Sequence, residues 1–276
     1  MKKIIKKLLH LKYINLIYTY LYYAIQRRRH LNIINKYDSQ CPLKGKIREK
    51  GYNAYELGRE NIHCLQYFRK NEIIYLQKKH AKSLNEILDL FVTDIDEYLG
   101  SNVRIDVICV NEINDQIKEN VSQNWHTDNV GNRLKLFICI EGDGSYPTFY
   151  VPKSNLVKYF PSLIEDLRMI GRKNIKKLAN EDKLTHQTGV ATIFDTNGLH
   201  RGGYEVEGKL NSRRVVEIEF SNKYKSNLLM GSAAIGPRHY DGAFEFDNDF
   251  MSEFRHRKYL DEKLIKKIDS TRFKYE

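Results

Sequence analysis

Up to Leu99 the apolar residues of this chain recur at helical spacing, and from Val103 onward they alternate. That change of period limits the folds available. Ile73, Ile74, Leu76, Leu84, Ile87, Leu88, Phe91, Ile95 and Leu99 follow one another at threes and fours, which predicts a helix over about 70–99. Gly100 follows as a helix stop. Val103, Ile105, Val107 and Cys109 then take every second position, as in a strand with one buried face. Further strand-like runs are Leu134–Ile140, Thr148–Val151, Val190–Phe194 and Val215–Phe220. Strands that do not alternate regularly with helices argue against a doubly wound sheet. They predict a mainly β core, a sandwich or barrel, with helices on one face.

The expected organisation has three parts. A helical extension covers 1–99 and packs on the core. The β core covers 100–225 and carries a lysine-rich, partly helical insertion at about 156–186. A charged tail or cap covers 226–276. With 276 residues, five prolines and no Ser/Gly-rich linker, one compact unit is the simpler reading.

Charge narrows the partners. Lys and Arg number 46 against 35 Asp and Glu, a formal net charge of +11. Such a surface concentrates anions. The basic residues are spread along the whole chain, which speaks against nucleic acid. A small substrate bearing phosphate or carboxylate and an acidic lipid are the other candidates, and a lysine-rich surface without an anionic partner is the plain alternative. Cys41, Cys64, Cys109 and Cys139 form no C-x-x-C pair, so they fit a reducing, cytoplasmic setting. Residues 1–30 are too polar for a membrane span, with Asn15 and Thr19 inside them and Arg27, Arg28 and Arg29 behind. Ile4, Ile5, Leu8, Leu9 and Leu11 among lysines predict a helix. It either packs on the domain or makes peripheral contact with an anionic membrane.

The chemistry-bearing residues lie in the β region. His126 and Asp128 are two apart, and on an extended strand such residues point to the same side. His200 follows a later strand and a polar turn in G-V-A-T-I-F-D-T-N-G-L-H-R-G-G. Two imidazoles and a carboxylate on one face leave coordination positions open, the set used in non-haem Fe(II) oxygen chemistry. Zinc accepts the same set. Arg213 and Arg214 open the strand R-R-V-V-E-I-E-F, and strand parity lets only one face inward. A buried arginine needs an anion. Its planar fork matches a carboxylate, such as the far end of a dicarboxylic co-substrate chelating the metal.

Together these segments resemble the phytanoyl-CoA dioxygenase-like branch of the Fe(II)/2-oxoglutarate oxygenases. The resemblance covers roughly 100–222. It rests on W-H-T-D at 125–128, R-L-K-L-F-I-C-I at 133–140, P-T-F-Y-V-P-K-S-N at 147–155, G-V-A-T-I-F-D, L-H-R-G-G at 199–203 and the arginine strand. It implies a double-stranded β-helix, a jelly-roll or cupin-like core. It implies Fe(II) on His126, Asp128 and His200, with 2-oxoglutarate and O2 as co-substrates. Arg213 is the better match for the 2-oxoglutarate arginine and Arg214 the alternative; Lys135 and Thr148 are further candidates for contact with the co-substrate. Where the family ends a segment in Ser-His, this chain has Ser154-Asn155. Halogenating relatives carry a small residue in place of Asp128, so the resemblance implies C–H hydroxylation with release of succinate and CO2.

Nucleic-acid dealkylating relatives carry a second arginine further along the strand, where this chain has Glu219 and Phe220. The remaining alternatives are a His2Asp zinc hydrolase and a non-catalytic jelly-roll binding module. The substrate expected is a small molecule, on a CoA, a nucleotide sugar or a lipid. Arg238 and His239 in G-P-R-H-Y-D-G are candidates for an anion at the mouth of the site, or part of an ordinary surface turn.

Overall fold

The computed structural model describes residues 21, 46–100, 103–113, 125, 126, 128, 133–156, 181–203, 213–222 and 244–260. The N-terminal helix reading, the turn at 236–242, Cys41 and most of the insertion lie outside the described residues. The strands are β1 (Tyr52–Glu56), β2 (Ile74–Leu76), β3 (Val103–Ile113), β4 (Arg133–Gly142), β5 (Thr148–Tyr150), β6 (Asp182–Leu184), β7 (Val190–Asp195), β8 (His200–Gly202), β9 (Arg213–Asn222) and β10 (Phe244–Phe246).

A five-stranded sheet has the order β1-β7-β4-β9-β3, and a three-stranded sheet the order β6-β5-β8. His126 bridges to His200 in antiparallel fashion and adds a fourth rung beside β8. From β3 onward the chain passes between the two sheets as large, small, large, small, small, large, small, large. That is the winding of a jelly roll, the double-stranded β-helix predicted.

Alternation explains the two faces of the large sheet. On β4, Leu134, Leu136 and Ile138 join the core under the helix, while Phe137 and Cys139 join a second cluster between the sheets. On β9, Val216, Ile218 and Phe220 face the helix core, opposite Ile138, Leu136 and Leu134. The other parity brings Lys135 opposite Glu219 and Phe137 opposite Glu217 on the inner face. Each buried Leu, Ile or Phe contributes roughly 1.5–3 kcal/mol, so the helix side supplies most of the apolar stabilisation. The inner face carries charges instead.

The long helix runs Lys78–Leu99 and buries Ala81, Leu84, Ile87, Leu88, Phe91, Ile95 and Leu99. It starts later than the predicted 70. Ile74–Leu76 is a strand pairing in parallel with Phe244–Phe246. The boundary is a reciprocal cap: the Gln77 N–H donates to His80 Nδ1 at 2.9 Å, and the His80 backbone N–H donates to Gln77 O at 2.8 Å. Burial pushes His80 down to about 4, which keeps Nδ1 an acceptor at neutral pH. Gly100 does close the helix, donating its N–H to Asp96 O at 2.8 Å.

Two boundaries differ from expectation. The N-terminal part is not purely helical, because β1 extends the large sheet beside β7. The expected insertion reached about 186, but Asp182–Leu184 forms β6 and pairs with β5. Among the described residues no helix is long and apolar enough to cross a membrane. Cys64, Cys109 and Cys139 are free thiols.

Candidate metal centre

His200 follows the turn after β7, and that turn is heavily braced. Asp195 is buried and its Oδ1 accepts from the Asn197 backbone N–H at 2.8 Å and Nδ2 at 2.7 Å. Its Oδ2 takes a short hydrogen bond from the Tyr98 hydroxyl on the long helix. Burial pushes the Tyr98 phenol well up, so it stays protonated and donates. Asn155 Nδ2 donates to that same hydroxyl at 3.0 Å. Ser154 Oγ accepts from the Leu199 N–H at 2.7 Å. Ser154 and Asn155 therefore brace the histidine turn. Gly198 lies so close to the Tyr150 hydroxyl that a Cβ there would collide with it.

Asp195→Ala strands the Tyr98 hydroxyl and two Asn197 donors. The expected cost is roughly 3–5 kcal/mol, read as a melting temperature about 10 °C lower. A melt within about 2 °C of the parent would refute the bracing role.

The opposite segment is fixed to this turn. The His126 and His200 backbones exchange two N–H···O bonds of 3.0 Å, and the Asp128 N–H donates to Thr196 O at 2.9 Å. This register puts the side chains of His126, Asp128 and His200 together. Their candidate ligand atoms all lie within 4.8 Å of one another, and all three residues are buried. Asp128 Oδ1 sits 3.7 Å from His126 Nε2 and 3.9 Å from His200 Nε2.

Protonation suits a metal. His200 Nδ1 lies 2.9 Å from Gly198 O, so Nδ1–H donates and the Nε2 lone pair is presented. Burial, with His126 next to it, pushes His200 down to about 3, so the imidazole is neutral at pH 7. Two imidazoles and one carboxylate suit a divalent first-row cation.

Arg213 and Arg214 separate cleanly. Arg214 pairs with its cross-strand neighbour Glu141 at 2.8 Å and reaches Gln66 O at 3.4 Å. Arg213 points inward and is buried. Its Nη1 donates to Thr148 Oγ1 at 3.0 Å and to Tyr146 O at 3.3 Å. The guanidinium lies 5.5 Å from the Phe137 ring and 5.2 Å from the Tyr146 ring. Burial pushes it down to about 10. Among the described residues no carboxylate makes an ion-pair contact with it, Glu217 acting only at longer range, and its Nε is buried without a hydrogen bond. With its oxygen accepting from Arg213, the Thr148 hydroxyl proton is left for His186 Nε2, 2.9 Å away. Burial, then the Arg213 charge, hold His186 well below the usual imidazole range.

Lys135 does lie in the interior, but its ammonium sits among carboxylates. It is 2.9 Å from Asp128 Oδ2, 2.9 Å from Glu217 Oε1 and 3.5 Å from Glu219 Oε1. Arg133, one inward position away on β4, makes a close contact with Glu219. His186, Glu217 and Asp195 were not singled out from sequence, and Glu219 was named only as the place where dealkylating relatives carry an arginine. Glu217 and Glu219 carried a signal, since E-I-E on β9 and R-L-K on β4 put opposite charges at matching parity. Nothing local marked His186 or Asp195.

No family model matches the chain, and a search of curated proteins finds no match. Solved structures do resemble it. EvdMO1 is 18% identical, with a TM-score of 0.44, over 64% of this chain and 49% of that one, so the likeness spans about half of that protein's length. SnoN, a non-heme alpha ketoglutarate dependent epimerase from nogalamycin biosynthesis, is 14% identical with a TM-score of 0.44, over 64% of this chain and 80% of that one. The non-heme monooxygenase ThoJ is 14% identical with a TM-score of 0.45, over 80% of this chain and 98% of that one.

Proposed function

We propose that this chain is a non-haem Fe(II)- and 2-oxoglutarate-dependent oxygenase of the phytanoyl-CoA dioxygenase-like kind, hydroxylating a C–H bond of a small substrate. One observation carries the reading: a buried guanidinium without a carboxylate partner among the described residues shares the barrel interior with a His-Asp-His cluster. A buried, unpaired cation is costly and calls for an anion. The cluster calls for a cation. A dicarboxylate chelated at the metal and clamped at Arg213 answers both.

In this reading His126, Asp128 and His200 hold the iron, and Arg213 with Thr148 holds the far carboxylate. When bound, iron and 2-oxoglutarate supply the oxidising power, with O2 consumed and the keto acid converted to succinate and CO2. The chain's own residues orient and shield. Phe194 packs its ring 5.3 Å from the His200 ring and 5.2 Å from the Phe137 ring, forming an apolar wall. That wall keeps water from the reacting groups and strengthens the charge contacts inside. The proposed substrate is carried on an anionic group, a CoA, a nucleotide sugar or a lipid phosphate, in keeping with the +11 net charge.

The hydrolase alternative needs a free general base beside the metal. Glu217 and Glu219, the carboxylates nearest on β9, are both engaged by Lys135. The test is slow succinate formation from 2-oxoglutarate in air without added substrate. It is expected to require Fe(II) and to vanish in Asp128→Ala. Succinate formed equally well without Fe(II) would contradict the reading.

A further inference from the structure

We propose that Lys135 is a positioning residue that holds Asp128 to one metal-facing oxygen. The inference rests on the metal reading above. Asp128 divides its oxygens: Oδ1 faces both imidazole Nε2 atoms, at 3.7 and 3.9 Å, while Oδ2 faces Lys135 Nζ at 2.9 Å. The lysine contact is one of charge rather than of well-directed hydrogen bonding. A carboxylate beside a divalent cation can bind through one oxygen or both. An ammonium on the second oxygen keeps it to one, and a coordination position stays open for the co-substrates.

An ammonium so close to a cation site would also repel the metal. The chain offsets this. Lys135 is anchored from its other side by Glu217 Oε1 and Glu219 Oε1, and Glu219 is in turn engaged by Arg133. Two cations face two carboxylates, so the cluster is neutral and Asp128 keeps its own charge for the metal. Stability does not account for the arrangement, because buried ion pairs return little or nothing over apolar residues of the same size. Glu219 is fully buried and Arg133 is 2% exposed, on a sheet whose other face is entirely apolar at these positions. The cost is understandable if the network fixes a ligand.

The clamp also ties the metal ligand to the barrel. Residue 128 belongs to the segment after His126, whereas Lys135 is on β4 and Glu217 on β9. Lys135 therefore couples the aspartate to two neighbouring inner strands of the large sheet.

The test is a Co(II) titration of the full chain, following the visible ligand-field bands and the dissociation constant. In Lys135→Met the constant is expected to rise about 10–100-fold, the usual cost of losing an outer partner of a ligand, and the bands to shift. Lys135→Arg keeps the cation and is expected to restore the parent spectrum. Because Lys135→Met leaves Glu217 without its ammonium, the double variant Lys135→Met/Glu217→Gln covers the case in which the single one does not fold. The same band shift is expected there. A folded Lys135→Met or double variant with the parent constant and parent bands would overturn the proposal. If only the melting temperature moved, Lys135 would be a structural partner of the glutamates and nothing more. A parent protein that binds no Co(II) would remove the metal reading itself, and the proposal with it.

Discussion

Arg213→Met is expected to lose 2-oxoglutarate while keeping the fold. The guanidinium is buried, hydrogen-bonded among the described residues to the neutral oxygens of Thr148 and Tyr146, and pushed down to about 10 by its burial. In the proposed reading this charge takes the far carboxylate of 2-oxoglutarate. Breaking a buried, charge-assisted contact costs about 2–5 kcal/mol, which is roughly 30- to 4,000-fold in affinity. Stability should move the other way or not at all, since an unbranched apolar side chain relieves the cost of burying an unpaired cation. That combination, weaker binding without a lower melting temperature, separates a ligand clamp from a structural arginine. Arg214→Met is the control. Arg214 is partly exposed and paired with Glu141, so its loss should change affinity by less than about 1 kcal/mol. Calorimetry with 2-oxoglutarate and Fe(II) under argon, alongside thermal melts, reads both. Equal losses in the two variants would undo the assignment.

His200→Ala is expected to abolish metal binding. His126, Asp128 and His200 form the group of potential ligands found among the described residues, and removing one leaves two protein ligands. The loss should exceed the roughly 100-fold that follows from losing an outer partner. The informative contrast is His186→Ala. His186 is equally buried but contacts Thr148, on the Arg213 side. It is expected to bind metal like the parent and to weaken 2-oxoglutarate instead. Equilibrium dialysis with Fe(II) or Co(II) decides the matter. A His200→Ala protein that keeps the parent stoichiometry and affinity would move the metal elsewhere.

Much of this was legible in the sequence because the relevant physics is local. Strand parity lets only one of Arg213 and Arg214 face inward, though the sequence left open which, and it places His126 and Asp128 on one side. The strand-like runs at 134–140 and 215–220 marked two neighbouring inner strands of the large sheet. The helix over 78–99 was legible from its spacing, but its start was not. Ile74 and Leu76 fit a helix as well as a strand, and only pairing with Phe244 and Phe246, far along the chain, decides between them. β1 was missed for the same reason, since Tyr52–Glu56 alternates weakly and is a strand because β7 lies beside it. In the site, ligands with a short spacing could be read, while partners set by tertiary contact could not. Asp195 owes its role to Tyr98, a helix residue distant in sequence. Lys135 looked like a contact for the co-substrate, and its carboxylate neighbours emerge only when β4 lies against β9.

The most direct measurement is an anaerobic titration of the metal-free protein with Fe(II) and 2-oxoglutarate, following visible absorption. A weak charge-transfer band is predicted when both are present and with neither alone, because the band requires a keto acid chelated to iron held by His126, Asp128 and His200. Absence of the band, with zinc bound tightly and 2-oxoglutarate not at all, would contradict the account and bring forward a zinc hydrolase.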